Sequence, residues 1–302
     1  MKDIAMFVVL GAAGKIGRST IGALRKQDVP VRAVIRDPSS ADALRALGCE
    51  VEIADLRDAP ALARATKGAT AVQVICPVAI RADDASQEMQ STIRSIMDAL
   101  DEFRPQTILA ISDYGAEISA GTGITLTFHH LEAQLKTLPA ALTLLRSAEH
   151  MQNWARVIGR ALETGVLSSL HHPVSKAFPT VSAGDVGLIA ADLLLSPADG
   201  LRVVHAEGPR RYSAIDVART LGEIVGREVV ARELPRQDWM PALVAGGIGE
   251  TYARLVVELF DAHNAGRIDA QRDVGEIRFG RTDLRAALSA LLATARQAGP
   301  RA

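Results

Sequence analysis

The first half of the chain alternates between short apolar runs and longer amphipathic segments. The apolar runs predict strands at residues 4–10, 31–35, 51–53, 71–75, 107–111 and 142–145, and the segments between them predict helices at 15–27, 41–47, 60–67, 87–103 and 128–138. Strands that are apolar on both faces and separated by helices require a parallel sheet covered on both sides. We therefore predict an α/β fold with a doubly wound, Rossmann-type parallel sheet.

Helical patterns dominate after about residue 151, and predicted strands become sparse. We therefore expect a nucleotide-binding domain at residues 1–150 and a smaller, mostly helical substrate lobe at 151–302. The helix near 182–195 is expected to pack back on the first domain. A ligand cleft is expected between the two parts, at the carboxyl ends of the strands.

Polar residues near the starts of three later helices suggest helix caps. Ser182 with Asp185, and Ser213 with Asp216, have the spacing of capping boxes. Thr282 is expected to cap the last helix of the chain.

Three glycines, Gly11, Gly14 and Gly17, join the first predicted strand to the first predicted helix. Glycines at such a junction permit a sharp turn, the approach of a pyrophosphate and close packing of the helix on the sheet. The spacing of these glycines, G-x-x-G-x-x-G, is one residue longer than the common dinucleotide-binding fingerprint. The alternative is a tight turn with only a structural role, in which the same glycines would serve. The position between strand and helix favours nucleotide binding.

The end of the second predicted strand indicates which dinucleotide is preferred. Arg36 follows this strand directly, and Asp37 comes next. A guanidinium suits a 2′-phosphate in charge and geometry, which favours NADP, and the alternative is a surface ion pair. Asp37 keeps NAD open, because an acid at this position can hold both ribose hydroxyls.

The overall composition limits the partners and the compartment. The chain has 302 residues, a formal net charge of −1 and a hydrophobic fraction of 48%. No basic excess points to nucleic acid, and no apolar stretch approaches the ~20 residues of a membrane span.

Lys2 and the apolar run after it resemble a short signal peptide, but a buried first strand is favoured. Because the two cysteines lack metal-ligand spacing, we expect no metal site and a reduced, cytoplasmic setting.

Several segments resemble the NmrA-like family of atypical short-chain dehydrogenases/reductases. The matching stretches run through most of the chain and include "VVLGAAGKIGR", "AVIRDP", "LTLLRSAEHMQNW", "VSAGDVGLIAADLLL" and "RFGRTDLRAAL". The resemblance implies cofactor contacts from Gly11, Gly14, Ile16 and Gly17 (pyrophosphate), Arg36 (2′-phosphate), Asp55 and Leu56 (adenine), and Cys76 and Pro77 (ribose). Asp55 has the alternative role of a turn acid, and Cys76 that of a small buried side chain.

The candidate catalytic residues depart from the alcohol dehydrogenases of this superfamily. Those enzymes pair a tyrosine with a lysine four residues later, but Tyr114 here is followed by Ile118. Ser112 and Tyr114 follow a predicted strand, so we expect them to face the nicotinamide. Some relatives place a lysine near residue 128, where His129 and His130 are candidates for binding substrate or donating a proton.

Candidate substrate residues follow the strand that ends near residue 145, and they are His150, Asn153 and Trp154. Three further aromatic residues of the second half, Phe178, Trp239 and Tyr252, are candidates for the wall of an apolar pocket, although each also suits a core.

Two functions remain open at this point. The first is an NADPH-dependent oxidoreductase that reduces a quinone or a similar small electrophile, with solvent supplying the proton. The second is a redox-sensing regulator that binds the dinucleotide without turnover and acts through a protein partner. An isomerase or epimerase is weaker, because it needs acid–base groups. We expect a small-molecule ligand and neither nucleic acid nor membrane as a partner.

Overall fold

The computed structural model describes residues 5–297 of the chain. Its strands form mainly where the sequence has short runs of apolar, often β-branched residues. They are β1 Met6–Leu10, β2 Val31–Ile35, β3 Glu50–Ile53, β4 Ala69–Ile75, β5 Thr107–Asp113, β6 Ala141–Ser147, β7 Glu149–His150, β8 Val166–Ser169, β9 Thr180–Val181, β10 Leu201–Glu207, β11 Val230–Glu233 and β12 Glu276–Phe279.

The helices occupy the amphipathic segments between the strands. They are α1 Lys15–Arg25, α2 Ala41–Ala46, α3 Ala59–Thr66, α4 Ala85–Phe103, α5 Thr125–Leu135, α6 Ala155–Thr164, α7 Ala183–Leu195, α8 Ala214–Val225, α9 Trp239–Ala245, α10 Glu250–Asn264 and α11 Leu284–Gln297. The predicted capping box of Ser213 and Asp216 is confirmed at the start of α8. Across residues 5–297, no helix combines the length and apolar character needed to cross a membrane.

Eight of the described strands form one sheet, in the spatial order β12-β10-β6-β5-β4-β1-β2-β3. All of the pairings in this sheet are parallel. The strand order reverses at β1, which lies between β2 and β4, as in doubly wound nucleotide-binding sheets. The predicted α/β fold with a parallel Rossmann-type sheet is confirmed.

Helices cover both faces of this sheet and bury a separate apolar core on each. Successive residues of a strand point to opposite faces. Val8 of β1 therefore joins the core that includes Ile93 of α4, and Val9 joins the core that includes Ile21 of α1. The carboxyl ends of the central strands are left free to form a ligand site.

Part of the second half of the chain belongs to the sheet and not to a separate lobe. β10 pairs with β6, β12 pairs with β10, and α7 packs against α1 as expected. A third apolar core, which includes Leu167, Leu221 and Leu288, unites β8, α8 and α11 in the smaller lobe. Residues 151–302 therefore do not all form a substrate lobe. The sequence did not reveal β12 because this edge strand lacks a continuous apolar run.

Two of the predicted helix caps are wrong. The side chain of Ser182 makes no capping hydrogen bond at the start of α7. Asp185 instead accepts hydrogen bonds from the backbone N–H of Thr282 at 2.7 Å and from its hydroxyl at 3.0 Å. Thr282 thus ties the C-terminal segment to α7, and the next residue, Asp283, accepts from the N–H of Ala286 in α11 at 2.8 Å. The long-range hydrogen bonds between Asp185 and Thr282 thus take the place of the two local caps expected at Ser182 and Thr282.

Candidate functional site

The turn between β1 and α1 is shaped by its three glycines. Gly11 has a φ of +65°, in the left-handed region that favours glycine. A Cβ on Gly17 would lie 2.7 Å from the carbonyl oxygen of Gly11, so α1 can lie this close to the turn only with glycine there. A Cβ on Gly14 would meet the same oxygen at 3.3 Å and would also extend into space beside the cavity that Gly14 borders.

The N-terminus of α1 is suited to binding an anion. Its N-cap residue, Gly14, offers no side-chain hydrogen bond, and the first turn of α1 contains no acidic residue. Lys15 adds a positive charge and lines the adjacent cavity. Free N–H groups and the helix dipole favour a negative charge at such a position. The chemistry of this turn fits the pyrophosphate of a dinucleotide.

A cavity of about 570 Å³ extends from the glycine turn across the carboxyl ends of the central strands to the smaller lobe. Ile16 and Gly17 border it at the turn, and Ser112 borders it at the end of β5. Its volume is in the range of small-molecule sites. The other residues that line it include Ile75, Cys76, Pro77, Asp113, Phe128, Ser147, Glu149, His150, Asn153, Trp154, Arg156, Leu170, His171, Leu243, Tyr252, Val256, Phe260 and His263.

The charged candidates for the adenosine end lie outside this cavity, near the ends of β2 and β3. Arg36 is exposed, whereas the carboxylate of Asp37 accepts a hydrogen bond from the N–H of Ser39 at 2.9 Å. That backbone hydrogen bond lowers the pKa of Asp37 below its ordinary value. Because Asp37 caps a short 3-10 helix, Arg36 is the side chain that remains available to a ligand at the end of β2.

Asp55 and Leu56 follow β3 without bordering the cavity. Asp55 accepts hydrogen bonds from the guanidinium of Arg57 at 3.1 and 2.8 Å, and from its backbone N–H at 2.9 Å. The side-chain hydrogen bonds from Arg57 hold the pKa of Asp55 below its ordinary value. Leu56 is buried. Asp55 therefore has the geometry of the turn acid, which the sequence left as its alternative role, and a contact with adenine stays a prediction.

Cys76 and Pro77 lie just past the end of β4 and line the cavity. Cys76 is buried, and burial raises the pKa of its thiol to about 12. The thiol is therefore protonated near neutral pH, so Cys76 contributes to the shape of the cavity wall and does not act as a redox group.

Ser112 and Tyr114 do not lie together at the site. Ser112 borders the cavity, and its hydroxyl donates to Glu132 at 2.7 Å, next to the buried ion pair between Glu132 and Arg146. Tyr114 is buried in the core on the other side, where its hydroxyl donates to Glu207 at 3.2 Å. Burial raises the pKa of Tyr114. Tyr114 does not line the described cavity, so this geometry does not support the expectation that it faces the nicotinamide.

His129 and His130 are also absent from the residues that line the described cavity. α5 begins at Thr125, three positions before the predicted start, so that both histidines lie inside the helix. Nδ1 of His129 is 2.8 Å from the carbonyl oxygen of Ala116. The residue of this segment that reaches the cavity is the apolar Phe128. The expectation that either histidine binds substrate or donates a proton here is not supported by this geometry.

The predicted substrate residues His150, Asn153 and Trp154 all line the cavity. Nε2 of His150 is 3.1 Å from the hydroxyl of Ser147, and burial lowers the pKa of this histidine to about 4. His150 is therefore neutral near pH 7. Asn153 donates to Glu149 at 3.5 Å.

The sequence did not reveal two carboxylic acids that line the cavity, Asp113 and Glu149. Asp113 ends β5, and its Oδ2 accepts from the hydroxyl of Thr125 at 2.6 Å. Burial raises the pKa of Asp113 to about 7. Glu149 is also desolvated, but Nε2 of His171 lies 2.8 Å from its carboxylate, and the charge and hydrogen bond of His171 lower its pKa to about 2. One acid in the cavity thus changes its protonation near neutral pH, and the other is ionised there.

Aromatic side chains from both halves of the chain form one wall of the cavity. Phe128, Trp154, Tyr252 and Phe260 all border it. Phe178 and Trp239, two of the predicted wall residues, lie behind this surface. Phe178 stacks on the ring of His171 at 3.5 Å between centroids, and the indole N–H of Trp239 donates to the carbonyl of Leu234 at 2.7 Å. The wall is suited to stacking against a flat ring.

Comparison with known proteins identifies the nucleotide-binding part of the chain. Residues 11–157 match the family model described as NAD(P)H-binding, so this segment is an NAD(P)H-binding domain, as the resemblance implied. The chain is 25% identical over 258 residues to the NAD(P)H azoreductase of Xenophilus azovorans, covering 84% of this chain and 86% of that protein. It has the same identity and coverage with quinone oxidoreductase 2 of Escherichia coli (strain K12).

A solved structure shows the same fold over nearly the whole chain. The NADPH-dependent quinone oxidoreductase of Escherichia coli, in complex with NADPH, superposes with a TM-score of 0.78 at 22% sequence identity. The alignment covers 95% of this chain and all of that one. The likeness extends through the smaller lobe, beyond the segment that the family model matches.

Proposed function

We propose that this chain, whose residues 11–157 form an NAD(P)H-binding domain, is an NADPH-dependent oxidoreductase that reduces a quinone or a similar small planar electrophile. The two relatives described above are named as an azoreductase and a quinone oxidoreductase. Quinones and azo compounds are both flat conjugated molecules that accept a hydride. Their common chemistry supports this substrate class.

The observation that carries the proposal is the continuity of the cavity. One space of about 570 Å³ joins the anion-binding turn at Gly14 to an aromatic wall that includes Trp154 and Tyr252. A dinucleotide whose pyrophosphate lies on the turn would extend its nicotinamide along the ends of β4 and β5. A flat electrophile then has room between that ring and the wall.

Arg36 supports a preference for NADPH over NADH. It is exposed at the end of β2, and the neighbouring acid, Asp37, is engaged in a helix cap. An arginine next to the ribose is suited to hold a 2′-phosphate through charge-assisted hydrogen bonds. The structural relative in complex with NADPH is consistent with this preference.

The protein has few chemical steps to perform in such a reduction. Bound NADPH supplies a hydride from its nicotinamide ring. The glycine turn and Lys15 would hold the phosphates, and Pro77 and Ser112, which line the cavity at the ends of β4 and β5, would border the nicotinamide. The aromatic wall orients the acceptor ring and excludes water from it.

Oxidation of alcohols is not supported by the site. Short-chain dehydrogenases usually perform that reaction with a phenol of lowered pKa at the nicotinamide, together with an activating lysine. Tyr114 is buried in the core, hydrogen-bonded to Glu207, and Ile118 occupies the position of the lysine. Tyr252 and Lys15 also line the cavity, but they belong to α10 and α1, and burial raises the pKa of Tyr252 instead of lowering it.

The proposal is tested by steady-state loss of nicotinamide absorbance with a panel of small quinones. We expect NADPH oxidation that depends on the quinone, and essentially no NADP⁺ reduction with secondary alcohols. The Gly14→Val variant, whose side chain fills the pyrophosphate space, provides the blocked control. If the protein binds NADPH but oxidises it no faster than this variant with any quinone, the redox-sensing regulator becomes the favoured function, since that role needs differential binding of the cofactor forms and no turnover.

A further inference from the structure

We propose that Asp113 is the proton donor that completes reduction of the substrate in this cavity. The inference rests on the proposed function and goes beyond it, because quinone reduction in its simplest form takes the proton from solvent. Asp113 is the last residue of β5, follows Ser112 and lines the cavity between the glycine turn and the aromatic wall.

The carboxyl group of Asp113 is held in a defined position. Its Oδ2 accepts from the hydroxyl of Thr125, at the start of α5, at 2.6 Å, and the Asp113 backbone pairs with Ser147 of β6. Thr125 itself is completely buried. The group is thus anchored from a helix and a strand and faces the space where the acceptor ring is expected.

The surroundings of Asp113 favour the protonated acid. The carboxylates of Glu117 and Glu149 both raise its pKa, although Glu117 is paired with Arg146 and Glu149 with His171. Tyr252 of α10 and Arg156 of α6 line the same cavity, and Tyr252 is hydrogen-bonded to Arg156. Burial, supported by the two carboxylates, raises the pKa of Asp113 to about 7, and the hydrogen bond from Thr125 lowers it only in part.

Glu149 provides an internal comparison, because it lines the same cavity and has no proton to give. Burial would raise the pKa of Glu149, but the interaction and hydrogen bond with His171 outweigh it and lower the pKa to about 2. When two carboxyl groups in one site have pKa values pushed apart by their environments, the one that stays protonated is the candidate acid. Asp113 is that group here.

The step balances without any further reactant. A quinone that receives a hydride becomes a hydroquinone monoanion. The O–H bond of the Asp113 carboxyl breaks, a new O–H bond forms on the phenolate oxygen, and Asp113 is left as the carboxylate. A proton from water then restores the acid. The sum is quinone, NADPH and one proton giving hydroquinone and NADP⁺.

The test compares kcat for quinone reduction as a function of pH in the wild type and in Asp113→Asn. The wild-type kcat should fall as the pH rises through about 7, because the acid form is the active one. The asparagine variant can still accept the hydrogen bond from Thr125 but has no acidic proton. We expect its kcat to be at least about tenfold lower and its pH dependence through this range to be lost, with unchanged affinity for NADPH.

Two further variants separate proton donation from a structural role. Thr125→Val removes the hydrogen bond that lowers the pKa of Asp113, so the pH at which kcat falls should move upward. Asp101→Asn, on the surface of α4, removes a carboxylate far from the cavity and should leave the pH profile as in the wild type.

An infrared titration of the ligand-free protein measures the same group without turnover. A protonated-carboxyl band that titrates near pH 7 should be present in the wild type and missing in Asp113→Asn. If the wild type reduces quinones and the Asp113→Asn profile matches it, the donor role is overturned while the proposed function stands. If no quinone is reduced, the proposed function fails and the donor role fails with it, and the infrared band then reports only whether the carboxyl is protonated.

Discussion

Gly14 and Gly17 belong to the same turn, yet adding one methyl group to each should have different consequences. The backbone of Gly14 has φ of −72° and ψ of 167°, which alanine adopts without strain, and its Cβ would be 3.3 Å from the oxygen of Gly11. The Cβ of an alanine at 17 would be 2.7 Å from that oxygen and 2.8 Å from the Cα of Ala12. Gly14→Ala should therefore fold, whereas Gly17→Ala forces the backbone to move.

The expected magnitudes follow from these distances. Gly14→Ala should change the free energy of unfolding by no more than about 1 kcal/mol, the usual scale for an N-cap residue. Its methyl group displaces the pyrophosphate from the N-terminus of α1. Losing two charge-assisted hydrogen bonds at about 1.5 kcal/mol each weakens NADPH binding by about 3 kcal/mol, or roughly 100-fold. Gly17→Ala should cost about 1–3 kcal/mol of stability as an overpacked contact, and it should weaken binding as well.

Gly22, in the same helix, provides the matched control. A Cβ at this position meets nothing within 4 Å, so Gly22→Ala should stabilise α1 slightly and leave binding unchanged. The assay is titration of NADPH by nicotinamide fluorescence, together with thermal unfolding without ligand. NADPH affinity in Gly14→Ala equal to that of Gly22→Ala would refute the assignment of this turn to the pyrophosphate.

Two further predictions concern side chains that the structure places clearly. Arg36→Ala should weaken NADPH binding roughly tenfold or more and leave NADH binding nearly unchanged, because only NADPH carries the 2′-phosphate. Titration of both cofactors checks this, with a variant of another exposed arginine, Arg45→Ala, as the control. Equal losses of affinity for NADPH and NADH would show that Arg36 does not bind the 2′-phosphate. Tyr114→Phe should lower the free energy of unfolding by about 1 kcal/mol, through loss of the hydrogen bond to Glu207, and leave quinone reduction within about twofold of the wild type; a larger loss of kcat would mean that Tyr114 reaches the substrate.

The sheet was predictable because its strands carry strong local signals. The runs at residues 31–35 and 107–111 are continuous, apolar and separated by amphipathic helices, so their type and parallel pairing follow from the pattern. β12, by contrast, is a four-residue edge strand with the sequence EIRF, which is too short and too polar for its pairing to be inferred locally. Its position depends on β10 beside it, a contact between distant parts of the chain.

The site was predictable where function depends on the backbone and much less so where it depends on the direction of a side chain. Glycines between a strand and a helix specify their own geometry, so the position of the turn follows from the sequence. Whether the side chain of Asp113 or that of Tyr114 faces the cavity depends on the backbone conformation at the end of β5. The sequence pattern does not predict that conformation. The raised pKa of Asp113 arises from burial and from Glu149, which is distant in the sequence. No local sequence motif therefore predicts this pKa shift.

Hydride transfer from bound NADPH to a quinone is measured most directly by a single turnover in a stopped-flow instrument. The complex of the protein with a stoichiometric amount of NADPH is mixed anaerobically with a small quinone, and nicotinamide absorbance is followed. We expect bleaching of one NADPH per protein, faster than for free NADPH, and loss of this bleaching in Gly14→Val. An unchanged absorbance in a protein that holds NADPH tightly would contradict a reductase and leave the dinucleotide as a bound regulator.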